Sequence, residues 1–334
     1  MDHDDTVVVE EIRVQCSNEN FEIAAQLWSK KTEEKSFKTK YRFLCLHGFL
    51  DNCRSYHFLA PFLVSKLEDA QVVALDLPGH GLSTHKSLDH PPMMIINDYC
   101  YYVAEFVQKL NWEDGFILIG HSLGAAISVI YAATCSQQVT KLVLLDGYGP
   151  DSYELYESPR LYKSEKTKSQ CSDLIRRHVN RRYNGNNKLK GRPSKRIYQN
   201  MEAAVQTRIQ AAQNSPGNQW ISYQAAFEMV KRAVVIHDNG TVQFLHDSRQ
   251  HWPPLMLHSV DQIEQYWNEI ACRIFLLRPK YGWPYPKKLL KRADEHMEGL
   301  GYVHIQNFSG SHYFHADPET AVDVAQAVLQ WIKS

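Results

Sequence analysis

The chain holds 334 residues, 44% of them hydrophobic and 22% charged, which excludes both a disulfide-stapled mini-protein and a disordered chain. Lys and Arg total 37, as do Asp and Glu, so the formal net charge is zero and no global basic field exists to hold nucleic acid. The length suits one large domain with an insertion, or two small ones.

In chain order, residues 6–15 and 21–29 are β-branched and partly alternating, and they predict a β-hairpin. Residues 30–40 read as a charged loop. YRFLCLHGF (41–49) predicts a short apolar strand running into a glycine. Apolar spacing over 55–67 is helical, with Pro61 expected to distort or restart the helix. AQVVALDLPGHG (70–81) predicts a buried strand ending in a Gly/Pro turn, and 96–112 an amphipathic helix. GFILIG (115–120) predicts another buried strand, LGAAISVIYAATC (123–135) a small-residue helix, and KLVLLDGYGP (141–150) a strand then a loop. The rhythm returns late, with strands at 272–279 and 302–308 and helices at 287–300 and 318–333. Near-continuous apolar strands separated by helices imply an α/β fold with a mostly parallel central sheet flanked by helices on both faces.

Between these blocks the pattern is helical, polar and charged. It reads as a cap inserted at 151–262, between an N-terminal core part at 1–150 and a C-terminal core part at 263–334. Within it, RAVVIHDNGTVQFLHDSR (232–249) breaks the helical pattern, and its Asp-Asn-Gly suits a hairpin turn. Residues 160–196 carry 13 Lys or Arg against two acids, Glu165 and Asp173. That run is either a solvated face or a peripheral contact for anionic lipid or an anionic substrate. Without interleaved aromatics it does not read as a nucleic-acid module.

The seven cysteines are odd in number and form no CxxC pair, so free thiols in a reducing compartment are expected rather than a disulfide framework or a zinc site. The acidic start MDHDDTVVVEE lacks a signal-peptide pattern, and no apolar run reaches the roughly 18–20 residues of a membrane helix. The final QWIKS is not a peroxisomal tripeptide. An intracellular, cytoplasmic location is expected, with peroxisome or vesicle association left open along with the oligomeric state.

The strongest motif is Gly120-His121-Ser122-Leu123-Gly124, a G-x-S-x-G between an apolar strand and a small-residue helix. That context calls for a sharp, strained turn presenting the Ser122 hydroxyl above the sheet, with Gly120 and Gly124 letting neighbouring backbone pass closely. His47-Gly48-Phe49 follows an earlier strand. In such an architecture the backbone N–H groups of Phe49 and Leu123 are the expected oxyanion donors.

LCLHGFLDN, VVALDLPGHGLSTH, LIGHSLGAA, LVLLDGYGP, FLHDSR and SGSHYFHADPE, in order over about residues 6–333, resemble the serine hydrolase-like subfamily of the α/β-hydrolase superfamily. The resemblance implies an α/β-hydrolase fold, a lid of helices and acyl-ester hydrolysis. It implies the order serine, acid, histidine, with the base directly after the Gly-containing turn that follows the last strand. That base is His312 of Ser-Gly-Ser-His, with His315 as its competitor. His121 flanks the nucleophile and reads as a packing residue.

The acid departs from the family pattern, which puts an Asp after the penultimate strand. Here CRIFLLRP is followed by Lys280-Tyr281-Gly282-Trp283-Pro284-Tyr285, with no acid before Asp294. Aligning the family's loop glycine with Gly282 puts Tyr285 where the acid is due, and Asp294 and Glu295 fall in a helix, too far along. Three readings stay open. Asp146, at the end of LVLLD, replaces the missing acid. Alternatively Ser122 and His312 work as a dyad, or the protein is a degenerate relative that binds without hydrolysing. Asp76 and Asp51 read as turn- and loop-ordering residues. The aromatics Tyr281, Trp283, Tyr285, Tyr313 and Phe314 are expected near a pocket rim, or else in core or lid packing.

The expected function is a serine hydrolase that cleaves a small or medium carboxylic ester through an acyl-enzyme on Ser122, with no metal or organic cofactor. The alternative is a catalytically weakened relative that serves as a ligand-binding or scaffold protein.

Overall fold

The computed structural model describes residues 6–17, 20–31, 39–86, 96–156, 172–180, 196–217, 219–252 and 254–334. Most of the charged loop at 30–40 and of the basic run at 160–196, together with Cys171, lies outside them.

The main sheet comprises β1 (Val7–Gln15), β2 (Glu22–Lys30), β3 (Tyr41–Leu46), β4 (Ala70–Leu75), β5 (Phe116–His121), β6 (Val139–Leu145), β10 (Arg273–Tyr281) and β11 (Val303–Ser311). Their order is β1-β2-β4-β3-β5-β6-β10-β11, and only β2 runs against the others. The inner strands are apolar on both sides because both faces are covered. Helices α2 (Ile96–Leu110), α3 (Leu123–Thr134), α6 (Val260–Glu269) and α7 (Lys287–Leu300) bury Phe106, Ile127, Trp267 and Met297 on one face. Helices α1 (Leu59–Ser65) and α8 (Ala321–Lys333) bury Leu63 and Val328 on the other.

The helix expected over 55–67 divides into a 3-10 turn at Cys53–Tyr56 and α1. Starting α1 at Leu59 puts Pro61 in its first turn, where a missing N–H breaks no intrahelical bond. Between β6 and α6 the described chain includes α4 (Met201–Gln213), α5 (Tyr223–Ala233) and a small sheet. In that sheet β9 (Val242–Phe244) lies between β7 (Ile197–Tyr198) and β8 (Val234–Ile236). The β8–β9 turn runs through Asp238-Asn239-Gly240, with Gly240 at φ +79°.

These elements share a small core, which includes Val205, Met229 and Val242 and closes against Tyr313 and Ala316. Two arginines tie them to the main sheet. Arg232 of α5 donates to Asp76 at 2.8 Å and to Glu11 at 2.7 Å, and Arg208 of α4 donates to Asp51 at 2.6 Å. Among the described residues no helix is long and apolar enough to cross a membrane. The six described cysteines are free thiols.

Candidate active site

Ser122 stands at the carboxyl end of β5, immediately before α3. Its φ of +51° is a left-handed value that few side chains adopt, and it turns the chain sharply between strand and helix. The turn closes only because α3 starts tight against the sheet. A Cβ at Gly124 would stand 2.0 Å from the carbonyl oxygen of Leu46 in β3. Strand pairing aligns His121 of β5 with Leu145 of β6, which puts the next residues, Ser122 and Asp146, beside each other. The Ser122 N–H donates to the Leu145 carbonyl at 3.2 Å.

Asp146 is itself left-handed, at φ +46°, a conformation Asp tolerates better than most residues. Its carboxylate turns toward the loop after β10. There the Trp283 N–H donates to Oδ2 at 2.8 Å, and a Cβ on Gly282 would lie 2.5 Å from Oδ1. The loop that lacks an acid thus provides a socket for one carried by the neighbouring strand. Tyr285 does not take an acid's place; its ring packs edge-on to Tyr148 at 5.2 Å. Asp294 on α7 pairs with Arg278.

The imidazole that meets Asp146 belongs to His312. Its Nδ1 lies 2.5 Å from Oδ2 of Asp146, and both side chains are buried. A carboxylate only accepts, so Nδ1 carries the proton and Nε2 keeps the lone pair a base needs. His315, three residues on, points elsewhere. Its ring lies 3.9 Å from that of His121, tilted by 34°, and burial pushes its pKa down to about 3. His121 is also buried, and desolvation followed by its histidine neighbours holds it far below the usual histidine value. It does more than pack, because its Nε2–H donates to the main-chain carbonyl of His312 at 2.8 Å.

The loop after β3 is fixed by His47, which desolvation keeps neutral. Its Nε2 accepts from the Leu77 N–H at 2.9 Å, so its Nδ1–H donates to the Gly48 carbonyl at 2.7 Å. The Asp51 N–H also donates to that carbonyl, at 3.2 Å. In a planar trans peptide, anchoring the Gly48 C=O aims the Phe49 N–H the opposite way. Leu123 opens α3, so its N–H has no intrahelical acceptor. Asp76 caps its turn as expected, accepting from the N–H groups of Cys53 and Leu82. Asp51 differs from expectation, since its carboxylate serves as the buried partner of Arg208 instead of ordering its own loop.

Tyr148 and Tyr285 line an apolar pocket with Ile263, Trp267, Leu289 and Ala293, about 610 Å³ including its open mouth. Among the described residues no group of three His, Cys, Asp or Glu is placed to hold a metal ion. Sequence reasoning missed Gly282, Trp283 and Gln219 as parts of this arrangement. Gly282 left a trace as the point where the loop departs from its expected pattern, and Trp283 left one only as an aromatic expected near a pocket rim.

A family model for the alpha/beta hydrolase fold matches residues 41–257. A serine hydrolase-like protein of Dictyostelium discoideum is 26% identical over 325 residues, covering 93% of this chain and 78% of the relative. One of Danio rerio is 29% identical over 281 residues, covering 79% and 77%. Among solved structures, a hypothetical protein from Pseudomonas aeruginosa PAO1 superposes with a TM-score of 0.73 at 24% identity, over 96% of this chain and 98% of the other.

Proposed function

Because this chain belongs to the alpha/beta hydrolase fold family, we propose that it is a serine hydrolase that cleaves a carboxylic ester through an acyl-enzyme on Ser122. The observation that carries this reading is the buried Asp146–His312 pair beside the strained Ser122 turn.

Ser122 Oγ attacks the ester carbonyl while His312 Nε2 takes its proton. Asp146 holds the resulting imidazolium, and the amides of Phe49 and Leu123 stabilise the oxyanion. The protonated imidazole then returns its proton to the departing alcohol. Water, activated by the same histidine, releases the acid. Helices α4 and α5 and the small sheet act as a cap over this site.

Hydrolysis of nitrophenyl esters of graded acyl length tests the reading. Wild type should turn over at least one ester, and Ser122→Ala should lose essentially all of that rate. Turnover that survives Ser122→Ala contradicts it.

A further inference from the structure

Gln219 lies between α4 and α5, outside the main-sheet strands that carry the site, and is 1% exposed. Its Oε1 accepts the main-chain N–H of His312 at 2.9 Å. Its Nε2 donates to the carbonyls of Gly282 and Pro216, both at 3.1 Å. The Gly282 carbonyl and the Trp283 N–H belong to one planar peptide, and that N–H donates to Asp146 Oδ2 at 2.8 Å. Asp146 in turn holds His312 Nδ1 at 2.5 Å. The four bonds form a closed ring: Gln219, the 282–283 peptide, Asp146, His312, and back to Gln219.

We propose that Gln219 is a positioning residue: it closes this ring and makes the Asp146–His312 pair depend on the docking of Pro216, Gln219 and Trp220 against the core. This rests on the reading of Ser122, His312 and Asp146 as a triad. A side-chain amide suits the place because one end must accept and the other must donate. Glu at this position can only accept when ionised, and Met can do neither. The next residue strengthens the docking, since the Ser311 hydroxyl donates to the Trp220 carbonyl at 2.6 Å and the Trp220 ring lies 5.4 Å from Tyr281. His121 holds the His312 carbonyl from the core side at 2.8 Å, so of the two main-chain anchors only the N–H anchor comes from outside the core. Bonds in a closed buried ring polarise one another, so losing one member loosens the rest.

The test uses Gln219→Met, Gln219→Glu and the exposed control Gln206→Met. The rate of labelling by a fluorophosphonate is read by intact mass, and the His312 Nδ1 proton by its far-downfield NMR resonance. Both Gln219 variants should label roughly 10- to 100-fold more slowly, the scale of a catalytic group displaced by about 1 Å. The resonance should weaken or vanish in them and persist in Gln206→Met. Wild-type rate and resonance in a folded Gln219→Met overturn the proposal. So does a loss of rate that only tracks the unfolded fraction. If Gln219→Met fails to fold, the near-isosteric Gln219→Glu decides by the same two readouts. If wild type itself takes no label, the hydrolase reading fails, and the resonance still decides whether Gln219 supports the pair.

Discussion

The candidate site joins the Ser122 turn to the Asp146–His312 pair from three places in the sequence, and the three residues were not equally legible. Ser122 was legible because its motif is local: two glycines, a strand before and a helix after dictate the turn. His312 was legible through the family pattern, which places the base just after Gly310, a residue at the end of the last strand. Asp146 stood as one of three alternatives. Its socket lies in a loop 137 residues away, and only the sheet order, with β6 beside β10, brings the two together. Gln219 left no signal, since a single glutamine in a polar stretch resembles any other. If Asp146 holds the imidazole in its working tautomer, Asp146→Asn should lower esterase kcat by about 10³- to 10⁴-fold. Asp294→Asn should leave kcat near wild type. The reverse pattern moves the acid to α7.

The elements followed the sequence wherever periodicity was strong, and at Pro61 the helix restarts with the proline in its first turn, as its missing N–H requires. The attachment of the inserted elements was less visible, because it runs through buried charge. Arg232 of α5 spans Asp76 and Glu11, and Asp76 is fully buried. Removing one partner of such a pair strands the other in a low dielectric. Arg232→Leu should therefore cost about 3–5 kcal/mol in urea denaturation. Lys291→Ala, which removes an exposed pair with Glu295 on α7, should change stability little. Equal effects from the two would show that the arginine clamp contributes no more than a surface contact.

Across the whole molecule, buried neutral histidines link the fold to pH. Burial holds His47, His80, His121 and His315 below the ordinary histidine value. The unfolded chain protonates all four near pH 6.5, while the native state takes up those protons only at lower pH. Stability should therefore be full above about pH 6.5 and fall as the pH drops from there toward 3. His315, with its pKa near 3, adds a slope approaching about 1.4 kcal/mol per pH unit across that window. The urea midpoint should be lower at pH 5 than at pH 7.5, and His315→Phe should flatten the difference. An unchanged midpoint would mean these histidines titrate alike in both states. The most direct measurement for the molecule as an enzyme is intact mass after exposure to a fluorophosphonate. A single adduct on wild type, absent from Ser122→Ala and His312→Ala, is the predicted result. A folded wild type that takes no adduct would contradict it and leave a ligand-binding protein built on a hydrolase frame.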